Sequence, residues 1–254
     1  MADFAKIKEA YDFRGYKKGY RSIQMRLRRM GIQMNHKKIL RLMRKYGLWC
    51  PIRQANPYRR MAKALQTNSI VDNHVNREFR SHGPRKILLT DITYIRLSNR
   101  FVYLSVIKDA FTMQVLAYQL SESLEVDFVL ETIKELKEKH LSSLDSTTII
   151  HSDQGCHYTS VAFRELLENA NLRQSMSRRG NCWDNAPQES FFGHMKDELH
   201  PYMKNWKTFD DVKERIDDWM DYYNNDRYQT ILQWMSPNEY YHFLETKELP
   251  AALR

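Results

Sequence analysis

Apolar residues recur at helical spacing along the first fifty positions. Ile23, Leu27 and Met30 fall at i, i+4 and i+7 behind Ser22, with Gly31 next; the spacing predicts a helix capped by Ser22 and stopped at Gly31. Ile39, Leu42, Met43 and Tyr46 repeat the stripe between Asn35 and Gly47, predicting a second helix capped by Asn35. Its other positions hold Lys37, Lys38, Arg41, Arg44 and Lys45. Two short amphipathic helices joined around a glycine predict a small all-α, helix-turn-helix-like segment over 1–50. From Pro51 to about Val75 the periodicity fails at Pro51, Pro57 and Arg59-Arg60. A linker is expected over 51–75, with a short helix around Tyr58–Leu65.

Beyond residue 76 the pattern changes. Lys86–Ile95, Phe101–Lys108 and Met113–Gln119 are apolar, rich in β-branched or aromatic residues, and separated by short turns. They predict three strands in an antiparallel meander. A helix follows with Val126, Val129, Leu130, Ile133 and Leu136 on one stripe. The strand Thr147–His151 comes next, then a helix burying Phe163, Leu166, Leu167 and Ala170. This order predicts an α/β, ribonuclease H-like mixed sheet flanked by helices. The core is expected over 76–240, C-terminal helices included, with a tail at 241–254.

Charge sharpens the division. The net charge is +9, but residues 1–63 hold 18 lysines and arginines against three acids. The rest of the chain is net acidic. A compact basic block is costly by self-repulsion unless a polyanion relieves it, so nucleic-acid contact is expected there. Three cysteines (Cys50, Cys156 and Cys182) without a Cys-x-x-Cys pair argue against a disulfide framework or a zinc knuckle. No apolar run approaches a membrane span, and the N-terminus lacks a signal-peptide core. A cytoplasmic, membrane-free protein is expected.

Three acids stand where chemistry is plausible. Asp91 interrupts the apolar strand Leu88-Leu89-Thr90-Asp91-Ile92-Thr93, where a carboxylate is costly unless paired or metal-bound. Asp153 directly follows a strand, and Glu189 opens the helix expected over Gln188–Leu199. From Glu189, helical steps reach Gly193, Lys196 and His200 on one face. A lysine there can pair with an acid or hold a DNA phosphate, and the second role is expected of Lys196. Asp109 ends a strand and is read as structural. Cys156-His157 has no partner at ligand spacing, so a nucleophile or zinc role is not expected, whereas DNA contact by His157 is. Trp219, Tyr222 and Tyr223 are expected to pack a C-terminal helix.

The residues also carry a resemblance. His151-Ser152-Asp153-Gln154-Gly155, Tyr158-Thr159-Ser160, Ser175-Met176-Ser177-Arg178, Gly180-Asn181-Cys182, Asp184-Asn185-Ala186 and Glu189-Ser190-Phe191-Phe192 resemble bacterial insertion-sequence transposases. The group is the IS-three type, similar to retroviral integrases and built on an Asp-Asp-Glu catalytic core. Thr90-Asp91-Ile92-Thr93-Tyr94 resembles its first acidic motif, and the 35 residues between Asp153 and Glu189 match its spacing. Trp219–Arg227 and Ser236-Pro237 resemble its C-terminal signature. Gly19-Tyr20-Arg21 and Asn35-His36-Lys37-Lys38 through Gly47-Leu48 resemble its DNA-binding segment. The chain departs from the pattern at Leu88, at Phe111-Thr112-Met113, at Gln229 and at Gln233, none of them one of the three acids.

The resemblance implies a transposase in which Asp91, Asp153 and Glu189 hold two magnesium or manganese ions. These would serve strand cleavage at element ends and 3′-hydroxyl strand transfer. Double-stranded DNA, both terminal repeats and target, is the implied partner. Arg178, Arg179, Asn181, Asn185, His157 and Lys196 are expected DNA contacts near the site, with Lys37, Lys38, Arg41 and Arg44 on the basic segment. A homo-oligomer on DNA, a nucleoid-associated location and a possible fusion to an upstream-frame helix-turn-helix protein are implied too. Two rivals share these residues: a ribonuclease H-like nuclease that cuts without joining, and an inactive DNA-binding repressor.

Overall fold

The computed structural model describes residues 2–16, 18–50, 71–178 and 182–253. The linker helix expected around Tyr58–Leu65 lies outside them. The chain divides into two compact units. The first comprises Met1–Gln54, His194–Tyr202 and Asp217–Arg254; the second comprises Ala55–Gly193 and Met203–Ile216.

The first unit begins with three helices: α1 (Ala2–Asp12), α2 (Tyr20–Arg29) and α3 (His36–Lys45). Ile7, Ala10 and Tyr11 of α1 join Ile23, Leu27, Ile39 and Met43 in one buried cluster. Gly19, not Ser22, occupies the N-cap of α2, so Ser22 lies inside the helix. The backbone of Gly19 is extended, and its carbonyl accepts the first helical bond from Ile23. Asn35 caps α3 as expected, its side chain accepting from the Lys37 amide. Gly31 and Gly47 take positive φ just beyond the two helices, which glycine tolerates without Cβ strain.

The C-terminal part of this unit carries ion pairs that range from partly buried to exposed. Glu198 accepts from Trp219 Nε1 and from Arg227, while Arg14 bridges Asp221 and Asp226. Trp219, Tyr222 and Tyr223 are buried, as a packing role requires. Helix α9 (Pro237–Thr246) opens with a capping box between Ser236 and Glu239.

The second unit is a five-stranded mixed sheet, in spatial order β3-β2-β1-β4-β5. Strands β1 (Ile87–Leu97), β2 (Arg100–Asp109) and β3 (Val115–Ser121) form the antiparallel meander; β4 (Ile149–Ser152) and β5 (Arg173–Met176) extend it in parallel. Met113 lies in the turn before β3, at positive φ. Strand β5 adds one element to the expected order.

Helix α4 (Asp127–His140) covers one face with Phe128, Val129, Ile133 and Leu136, and α6 (Val161–Asn169) adds Phe163 and Leu167. Each such side chain contributes roughly 1.5–3 kcal/mol by leaving water. The short α5 (Cys156–Thr159) precedes α6, whose N-cap Ser160 accepts from the Phe163 amide. On the other face Ile87 and Leu89 meet Val75 and Ala110. Asp109 ends β2 as a structural residue: fully buried, it pairs with Arg85 at 3.0 Å and accepts from the Phe111 amide. The remaining helices are α7 (Ala186–Met203) and α8 (Phe209–Asn225).

Candidate active site

Strand pairing brings two of the three acids to one level of the sheet. In the parallel ladder, Leu89 of β1 stands beside His151 of β4. Asp91 and Asp153 each lie two residues further along; Asp91 is still within β1 and so faces the same side as Leu89. Neighbouring strands run about 4.8 Å apart. Asp153 follows the last residue of β4, where the ladder ends and the chain opens. Glu189 lies in the first turn of α7, where the helix dipole favours an anion.

The electrostatics tie the three together. The Asp91 carboxyl is pushed up to about 7, first by burial, then by repulsion from Asp153 and, to a lesser degree, from Glu189. Two hydrogen bonds oppose that rise: the Ile92 amide donates to Oδ1 at 2.8 Å, and Asn185 Nδ2 donates to Oδ2 at 2.9 Å. Asp153 Oδ1 accepts from the Gly155 amide at 2.9 Å. A Cβ at position 155 would itself stand 2.9 Å from that oxygen, so glycine is what permits the close approach.

The fourth acid nearby is committed elsewhere. Asp184 is buried and accepts from Arg77, Arg178 and Asn73. Burial alone would raise its carboxyl, but the bonds from Arg178 and Arg77 win and hold it well below the ordinary carboxylate range.

As they stand, no three His, Cys, Asp or Glu side chains among the described residues surround one point suited to an ion. The chemistry of the donor set nonetheless fits a hard divalent cation. All three groups are oxygen acids, and the repulsion that raises Asp91 is what a cation between them would relieve.

The expected DNA contacts divide by what their side chains already touch. Arg178 is exposed but forks onto both oxygens of Asp184. Asn185 is buried and points at Asp91. His157 Nε2 lies 2.7 Å from the Leu124 carbonyl, which can only accept, so that nitrogen carries the proton. Lys196 is half-buried on α7, two turns after Glu189. On α3, Lys37, Arg41 and Arg44 are exposed, whereas Lys38 bridges to Asp3. Arg179 and Asn181 lie outside the described residues.

Two side chains behind the acids escaped sequence reasoning. Lys108 and His151 are buried on β2 and β4. The one available signal for Lys108 was a cation in an otherwise apolar strand, Phe101–Lys108.

Known proteins resemble this chain in sequence and in fold. Residues 81–182 and 170–237 each match a family described as integrase core domain, and residues 2–56 match an HTH-like domain. An uncharacterized transposase-like protein of Haemophilus influenzae is 34% identical, over 82% of this chain and 94% of its own length. A putative transposase for insertion sequence element IS150 of Escherichia coli is 32% identical, over 92% of this chain and 81% of its own. Among solved structures, a chain of the simian T-cell lymphotropic virus intasome, in complex with a PP2A regulatory subunit, superposes with a TM-score of 0.56 at 16% identity. It covers 89% of this chain and 73% of its own. The catalytic core of BIV integrase gives 0.50 at 18% identity, covering 64% and 98%. The shared fold is ribonuclease H-like.

Proposed function

Because this chain belongs to the transposases of bacterial insertion sequences, we propose that it cuts DNA at element ends and joins the freed 3′-hydroxyl to a target through Asp91, Asp153 and Glu189. The observation that carries this reading is the group of three carboxylates, with Asp91 repelled by both other acids just past the end of the β1–β4 parallel pairing. Asp91, Asp153 and Glu189 would hold two magnesium or manganese ions. Bound there, such ions supply an activated nucleophile, a stabilised leaving oxygen and neutralised phosphate charge.

The chain's own residues do the rest. Asn185 orients Asp91, and the Gly155 amide orients Asp153. The strand end gives a substrate phosphate a side from which to approach. Lys196 lies about 10 Å along α7 from Glu189 at 1.5 Å per residue, within reach of a phosphate next to the scissile one. Lys37, Arg41 and Arg44 on α3 grip the DNA backbone. Arg178 and His157 contact DNA only after leaving Asp184 and Leu124. The active species is a homo-oligomer assembled on two DNA ends, with the upstream-frame helix-turn-helix protein as a candidate fusion partner.

The test is nicking of labelled terminal-repeat DNA with magnesium, with manganese and with chelator. Wild-type chain should nick only with metal. Asp153→Asn and Glu189→Gln should bind the DNA and leave it intact; nicking at the wild-type rate by either would sink the assignment.

A further inference from the structure

Lys108, Leu89 and His151 form one row across β2, β1 and β4, since Leu89 pairs with both. The row lies two residues before Asp91 on β1, so Lys108 and His151 face the same side of the sheet as Asp91, while Asp153 follows just past the end of β4. Lys108 is 2% exposed and His151 fully buried. Both reach the backbone that leads into α7. Lys108 Nζ donates to the Pro187 carbonyl at 2.9 Å and lies 4.8 Å from the centre of the Phe191 ring. His151 Nε2 stands 3.0 Å from the Asp184 carbonyl. A carbonyl only accepts, so Nε2 carries the proton, and Nδ1 accepts from the Ser175 hydroxyl at 3.0 Å. Ser175 is itself fixed, its oxygen accepting from the His74 amide.

The carbonyls of Asp184 and Pro187 bracket Asn185, which holds Asp91, and Pro187 lies two residues before Glu189. We propose that Lys108 and His151 are positioning residues. Together they form a buried clamp that seats the start of α7 on the sheet and so sets Glu189 and Asn185 against Asp91. The inference rests on the reading of Glu189 as a catalytic acid. Because the clamp grips backbone, it fixes the segment independently of the Asp184 side chain, which Arg77 and Arg178 hold. A lysine so deeply buried is otherwise an expensive way to fill a strand position that leucine or methionine would fill.

The experiment uses the full chain, with Lys108→Met, Lys108→Arg and His151→Gln, each also combined with Glu189→Asp. Three quantities are read: single-turnover nicking of pre-bound DNA, DNA affinity, and manganese affinity by calorimetry. Lys108→Met should slow nicking and weaken manganese binding by about 10–100-fold, the usual cost of losing support behind a ligand, with DNA affinity within about twofold. Lys108→Arg, which keeps a donor, should recover most of both. In the Glu189→Asp background the Lys108→Met penalty should shrink to less than about threefold, because both changes act through one side chain.

Penalties that multiply, or unchanged manganese affinity, would overturn the clamp and leave Lys108 a packing residue. If Lys108→Met fails to fold, His151→Gln carries the same cycle and decides by the same criteria. A wild-type nicking rate in Glu189→Asp alone would remove the catalytic premise instead.

Discussion

Without metal, Asp91 is a burden on the fold, and replacing it should stabilise the protein while abolishing its chemistry. Its carboxyl is raised from the ordinary 3.8 to about 7, mainly by burial and by Asp153. An acid raised in the folded state takes up a proton on folding. Stability from this group is therefore greatest below the unfolded value, falls as pH rises through 4 to 7, and stays low above. At about 1.4 kcal/mol per pKa unit, the loss above neutrality has a ceiling of roughly 4 kcal/mol. Partial solvent contact and relaxation of the neighbouring acids reduce it to about half, ~2 kcal/mol.

Asp91→Asn removes the charge at little cost in hydrogen bonds. The new amide oxygen can accept from Ile92, and its nitrogen can donate to the Asn185 oxygen once that side chain flips; this oxygen is buried and has no hydrogen-bond partner among the described residues. Thermal melts in chelator from pH 5 to 8.5 check this. The variant should melt about 4–8 °C above wild type at pH 8, and the gap should narrow steadily as pH falls to 5. Magnesium at pH 8 should raise the wild-type midpoint more than the variant's, because only wild type gains from neutralising the cluster. A variant less stable than wild type at pH 8, or a pH-independent difference, would refute the reasoning.

Other expectations follow from single residues. Asp184→Asn turns one of two buried acceptor oxygens into a donor facing Arg77, Arg178 and Asn73, and should cost about 3 kcal/mol in urea unfolding at pH 7. The wild-type carboxyl is depressed, so that stability is present above pH 4 and lost as pH falls further; the variant should lack this acid-side loss. On α3, Arg41→Ala should lower DNA affinity and reduce the slope of log affinity against log salt by about one. Lys38→Ala should change that slope less, because Lys38 is already paired with Asp3. Titrations of DNA binding across salt concentration check both.

The sheet was legible because β1, β2 and β3 are long, apolar and closely spaced, and α4 has a full buried stripe. Strand β5 was not, since Arg-Gln-Ser-Met carries no alternation; its parallel pairing with β4 makes it a strand. Helix α1 left a readable trace in Ile7, Ala10 and Tyr11, hidden by the basic residues around it. The cap of α2 was misplaced because a serine is a common cap, whereas the extended Gly19 backbone starts the helix one turn earlier.

At the site, the motifs singled out three acids, and the fold sets Asp91 within electrostatic reach of Asp153 and Glu189. What those motifs could not reveal is the direction in which polar side chains point. A donor-rich loop offers Arg178 and Asn185 equally to DNA or to the protein, and folding turns one to Asp184 and the other to Asp91. Lys108 shows the same limit, since its burial depends on α7 closing over β2 from nearly eighty residues away in sequence.

The most direct measurement of the central claim is joining of a radiolabelled 3′ element end to a second DNA duplex in magnesium, beside Asp91→Asn, Asp153→Asn and Glu189→Gln. Wild-type chain, alone or fused to the proposed upstream-frame protein, should yield the joined product. Each variant should bind the end DNA with wild-type affinity and form less than about a thousandth of that product, since each removes a proposed metal ligand. Joined product from any of the three at the wild-type rate would contradict the assignment, as would wild-type nicking that never proceeds to joining.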